Sequence, residues 1–116
     1  MYRVTKRDGS ITEFHIAKIG NAITRAFEAV GRQQHPSVIE LLALRVTAEF
    51  EPKIRHDLIA VEDIQDCVER VLSEAGYSDV AKAYILYRKQ REKLRNVGST
   101  LLNYKELVDN YLRIND

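Results

Sequence analysis

The chain has 116 residues, one small domain's worth, with 45% apolar and 30% charged residues, an ordinary globular balance. Eighteen basic residues against seventeen acidic ones leave a formal charge of +1, which argues against a protein living on bulk phosphate charge but allows one local anion site. No apolar run approaches the roughly 18 residues of a membrane span, the start lacks the apolar core of a secretory signal, and the single cysteine, Cys67, excludes an internal disulfide or a multi-cysteine zinc site. A reduced, cytoplasmic, single-core domain with no membrane partner is expected.

Tyr2-Arg3-Val4-Thr5-Lys6 alternates in character, Asp8-Gly9 supplies a turn, and Ile11-Thr12-Glu13-Phe14 follows as a second short strand. Asp-Gly between two such segments predicts a hairpin with a type I′ turn, whose two central residues both take positive φ. An isolated hairpin is marginal in water, so this one must lean on something else. Ile16, Ile19, Ile23, Ala26, Phe27 and Val30 then recur at helical spacing, and Gly31 closes the run. Pro36 suits the first turn of a second helix carrying Val38, Leu41, Leu42, Leu44 and Val46 to about Phe50, where Glu51-Pro52 breaks the ladder.

Lys53 to Ala60 is expected as a connector with a short apolar piece, Leu58-Ile59. A third helix shows Ile64, Cys67, Val68, Val71 and Leu72 on one face and ends at Gly76; Glu62 and Asp63 lie in its first turn, where acids suit the dipole. Ser78 with Asp79 predicts the cap of a fourth helix running through Val80, Ala83, Tyr84 and Tyr87 into a basic tail, Arg88 to Arg95. Asn96-Val97-Gly98-Ser99 reads as a linker, and Leu101, Tyr104, Leu107, Val108 and Leu112 as a trailing amphipathic helix. The expected fold class is α+β, mainly α: a short N-terminal β-hairpin packed on about four helices, plus the trailing helix. Residues 1–95 form the domain and 96–116 lead out of it.

No catalytic constellation is visible. His15, His35 and His56 stand in separate segments without metal-type spacing, and there is no Ser-His-Asp set and no Walker-type loop. Cys67 falls on an apolar helix face, where thiols are inert core residues. What remains is cationic. Lys6 and Arg7 sit at the hairpin tip, and Lys18 lies in the first turn of a helix, where the dipole disfavours a cation unless an anion joins it. On spacing alone these are equally solvated surface charges. Tyr84, Tyr87, Arg88 and Arg91 share a helical face that suits stacking and phosphate, or else core packing with a basic edge. Lys89, Lys93 and Arg95 permit a nucleic-acid-binding alternative, which their spread around the helix and the neutral balance weaken.

Val4-Thr5-Lys6-Arg7-Asp8-Gly9-Ser10, Phe14-His15-Ile16-Ala17-Lys18-Ile19, Ile64 to Glu69 and Ala83 to Arg88 resemble the ATP-cone domain, over roughly residues 3 to 92. The resemblance implies an allosteric site that reports the balance of ATP (activating) and dATP (inhibiting) to a ribonucleotide reductase. It makes Val4, Lys6 and Arg7 a hairpin lid, Lys18 a phosphate ligand, and Ile16 and Ile19 the adenine side, with His15 near the base or sugar. Val61 and Gln65 would face the nucleotide, and Tyr87, Arg88 and Arg91 would approach the phosphates.

Mg²⁺ is an optional companion of the triphosphate. Asn103 to Leu112 looks like the helix joining the cone to the catalytic barrel of anaerobic ribonucleoside-triphosphate reductases. Such a parent would carry its glycyl radical outside these residues and form effector-dependent homo-oligomers. A cone-bearing transcriptional regulator is the alternative, and the single cysteine speaks against its zinc ribbon.

Overall fold

A computed structural model describes residues 2–94. The elements run β1 (Arg3–Thr5), β2 (Ile11–Glu13), α1 (Ile16–Ala29), α2 (Pro36–Phe50), a single 3₁₀ turn (Glu51–Lys53), β3 (Leu58–Ala60), α3 (Val61–Glu74) and α4 over residues 78–94. The class is α+β, mainly α, as the sequence implies. The expected linker and trailing helix lie outside the described residues. The chain divides into two compact units, Met1–Ile85 and Leu86–Asp116.

Helical spacing buries one stripe from each helix of the first unit. These are Ile19, Ile23, Ala26 and Phe27 from α1, Leu42, Ala43, Val46 and Phe50 from α2, and Ile64, Cys67, Val68, Val71 and Leu72 from α3. Val80, Ala81 and Tyr84 complete the core together with Val4 and Ile59 from the sheet. Burial pushes the Cys67 thiol up, so it stays protonated and unreactive. Two large apolar residues of α2 stay outside the core: Leu41 and Leu44 are 60% and 56% exposed. An all-leucine face cannot be phased by hydrophobicity alone, and Ala43 takes the buried position between them.

The connector holds an element that its composition hid. Leu58–Ala60 is a third strand, giving the sheet order β2-β1-β3, with β1–β2 antiparallel and β1–β3 parallel. It is entered by a tight turn in which His56 (φ 53) and Asp57 (φ 60) are both left-handed, closed by the mutual backbone bonds of Arg55 and Leu58 at 3.0 and 2.9 Å. Paired positive φ of this kind is the I′ signature. It was expected at Asp8-Gly9, where only Gly9 (φ 87) is positive. There the chain instead makes a three-residue loop with glycine at the left-handed position, closed by Gly9 N–H to Lys6 O (3.0 Å) and Lys6 N–H to Ser10 O (2.8 Å). Arg3 N–H donates to Asp57 O (2.8 Å), fixing the second turn to the central strand.

The hairpin's support is aromatic. Tyr2, Phe14 and Phe50 form a triangle with ring centroids 4.9, 5.9 and 5.5 Å apart, joining the start of β1 and the end of β2 to the last turn of α2. At α2's other end Pro36 occupies the first helical position, and the preceding His35 caps it, its Nδ1 accepting from Ser37 N–H at 3.1 Å.

Ser78 and Asp79 fall inside the first turn of α4 rather than before it. Asp79 serves Arg32 instead, which donates to both carboxylate oxygens at 3.0 and 3.1 Å and lies over the Tyr77 ring at 5.2 Å. Burial alone would raise the Asp79 carboxyl, but the Arg32 hydrogen bond and charge outweigh it and hold the group below its usual range. A depressed folded-state pKa stabilises the fold above the ordinary value of 3.8, and that contribution is lost as pH falls through the lower folded value. Wild type is therefore expected to lose melting temperature more steeply than Asp79→Asn on acidification from about pH 6 to about pH 2, so that the two curves converge. Thermal melts of both proteins across that range check this.

Candidate functional site

The site is built from the two ends of a very short sheet. Because β3 runs parallel to β1, the hairpin tip and the start of α3 lie at the same end. Because β2 returns antiparallel, α1 starts at the other. Three-residue strands make the separation between the two ends, along the strands, only about 7 Å.

At the tip, Asp8 turns inward on its own loop. Its Oδ1 accepts from Ser10 Oγ (2.6 Å) and Ser10 N–H (2.9 Å), which hold its carboxyl below the usual range. The acid is thus engaged by the turn's own serine, with the charge of Lys6 adding a smaller favourable contribution. Lys6 is exposed. Arg7 reaches across to the first turn of α3. Its Nη2 donates to Gln65 Oε1 at 3.3 Å, and its Nε lies 3.5 Å from Glu62 Oε1, with 23% of the Arg7 side chain and 60% of Glu62 exposed. Gln65 and the half-buried Val61, both expected to face a ligand, therefore share the start of α3 with Arg7. Glu62 is the partner the sequence reading missed. It was visible only as a helix-start acid, although its offset of three from Gln65 places both on one face.

The start of α1 carries no side-chain cap and no acid in its first turn. His15, Ile16 and Lys18 are all exposed there, so free backbone N–H groups and a lysine coincide. The His15 ring stands 3.9 Å from the Glu13 carboxylate, both well exposed. Val4 and Ile19 are core residues, at 7% and 6% exposure. In the second unit, Arg91 donates to Tyr87 Oη at 3.1 Å and lies over that ring at 5.8 Å, one turn along the same helix. Arg88 is half-buried.

A separate groove of about 730 Å³ runs between α1 and α2, lined by Ile16, Thr24, Ile39, Leu44 and Arg32 among others. Its acids, Glu28 and Glu40, and the commitment of Arg32 to Asp79 make it the poorer home for an anion. Among the described residues no three His, Cys, Asp or Glu side chains gather to hold a metal, and no helix is long and apolar enough to cross a membrane.

Comparison with known proteins gives the chain a family. The ATP cone domain model matches residues 2–93. The chain is 40% identical over 99 residues to the vitamin B12-dependent ribonucleoside-diphosphate reductase of Mycobacterium tuberculosis, covering 85% of this chain and 14% of that one. It is 38% identical over 98 residues to the ribonucleoside-diphosphate reductase subunit alpha of Chlamydia pneumoniae (79% and 9%). It is also 38% identical over 103 residues to the anaerobic ribonucleoside-triphosphate reductase of Haemophilus influenzae (86% and 14%). The chain thus spans about a tenth to a seventh of the relatives it matches. With its hairpin, its helices and its matched length, the chain belongs to the ATP-cone family, a nucleotide-binding regulatory domain found in ribonucleotide reductases.

Proposed function

We propose that residues 1–95 bind ATP or dATP as competing effectors of a ribonucleotide reductase. In this reading ATP permits turnover and dATP halts it, in the cytoplasm, and 96–116 lead to a catalytic domain of the same chain. The observation that carries the reading is Arg7 held at the start of α3 at one end of a sheet of three-residue strands, while the chain leaves the other end for the uncapped, lysine-bearing start of α1. A compact anion meets one of these ends; a nucleoside triphosphate is long enough to engage both. Relatives named as diphosphate and as triphosphate reductases show similar identity to the chain, 40% and 38%. The choice of an anaerobic triphosphate reductase as parent, with its glycyl radical elsewhere, therefore rests on the segment from Asn103 to Leu112.

A triphosphate carries about four negative charges, which Lys6, Arg7 and Lys18 oppose through charge-assisted hydrogen bonds. The family resemblance implies phosphate roles for Tyr87, Arg88 and Arg91, which belong to the second unit. Any Mg²⁺ at the site would arrive on the phosphates. The two effectors differ by one hydroxyl, and one hydrogen bond is typically about 0.5–1.5 kcal/mol, a modest ratio of affinities. Regulation then requires that each ligand favour a different arrangement of the domain and its neighbours, such as a different subunit association. Isothermal titration of the chain with ATP and dATP tests the reading: saturable binding of both is expected, and no heat at millimolar nucleotide ends it.

A further inference from the structure

Arg7 is a half-buried cation of the candidate site, and its guanidinium lies 3.5 Å from the carboxylate of Glu62 and donates to the amide oxygen of Gln65. Glu62 occupies the first turn of α3, and Ala60, the residue that precedes the helix, offers no side-chain cap. Partial positive charge from the backbone gathers there, so the local field that favours the Glu62 carboxylate would equally favour a phosphate. A carboxylate and a phosphate oxygen also present the same acceptor geometry to a guanidinium. We propose, on the reading that this is a nucleotide site, that Glu62 is a built-in competitor: it occupies Arg7 in the unliganded domain and must yield it to the triphosphate.

Two consequences follow from the geometry. Arg7 belongs to the hairpin tip and Glu62 to α3, so the contact ties the tip to the helix while the site is empty. The guanidinium is thereby kept in position without being free. The apparent affinity is also reduced by the fraction of molecules in which Arg7 is engaged, since ligand binds at full strength only to the remainder. Glu62 is 60% exposed, so it has water to move into when displaced. A sensor of an abundant metabolite needs a readily reversed site, and this contact supplies one without weakening any ligand contact.

The test is isothermal titration of the whole chain with ATP and with adenosine, using wild type, Glu62→Gln, Arg7→Ala and the double variant. Glutamine keeps the shape of Glu62 and removes its charge. The expected result is that Glu62→Gln binds ATP about 3- to 10-fold more tightly than wild type, with adenosine unchanged, and that the gain vanishes in the Arg7→Ala background. ATP binding by Glu62→Gln equal to or weaker than wild type overturns the proposal, since Glu62 would then be inert or would orient Arg7 for the ligand. A gain that persists without Arg7 overturns it too, by assigning the effect to general charge. Absence of ATP binding by wild type and Glu62→Gln alike removes the nucleotide site itself, and is thereby distinguished from failure of the competition alone.

Discussion

Lys18→Ala is expected to weaken ATP binding by about 10-fold at physiological salt, and by more at low salt, while leaving the fold as stable as before or slightly more so. A charge-assisted hydrogen bond contributes about 1.5–3 kcal/mol, and the exposure of Lys18 places it near the lower end once screening acts. The stability half of the expectation comes from the helix. A lysine in the first turn of α1 opposes the macrodipole, and alanine removes that opposition, worth about 0.3–1 kcal/mol, while propagating the helix at least as well. Titration calorimetry and thermal melts on the same sample separate the two effects. Unchanged affinity would remove Lys18 from the phosphate set. A loss of melting temperature would show that it serves the fold instead.

Phe50→Ala is expected to cost about 3–5 kcal/mol, the usual range for truncating a buried phenylalanine, out of a total of about 5–15 kcal/mol for a domain of this size. Phe50 is fully buried and makes two of the three contacts in the aromatic triangle with Tyr2 and Phe14. Its removal loosens both strands of the hairpin at once. Nucleotide affinity should therefore fall with stability even though Phe50 is fully buried and has no surface to offer a ligand. Leu44→Ala on the same helix is the control: at 56% exposure it should change stability by less than about 0.5 kcal/mol. Chemical denaturation of both variants checks the contrast. Similar losses for the two would mean that Leu44 is covered in solution.

The helices were legible because their apolar residues repeat every three or four positions and their ends are marked by Gly31, Gly76 and Pro36, chemistry that is local to the chain. Three features were not. The strand Leu58–Ala60 is too short to show a period and is defined by a partner far earlier in the sequence. The paired left-handed residues fall on His56 and Asp57, neither a glycine, because the bonds of Arg55, Leu58 and Arg3 hold the turn and offset its strain. Which leucines of α2 are buried is not legible, because Leu41, Leu42 and Leu44 fall too close together to fix the buried phase, and only Leu42 of the three is in the core. At the site, Lys6, Arg7 and Lys18 could be picked out from their types and positions, and Gln65 only through the family resemblance. The hold of Glu62 on Arg7 could not, since it depends on a crossing between the tip and α3 that only the fold supplies.

The middle strand of the sheet is the earliest segment of the chain, and its parallel neighbour is made more than fifty residues later. A growing polypeptide can close the first hairpin at once, but it must synthesise two complete helices before Val4 meets Ile59. Contacts of such long sequence separation slow the search for the native topology. The few β residues of this small, largely helical body therefore carry its longest-range strand pairing, and losing Arg3–Thr5 would remove a keystone rather than a fringe.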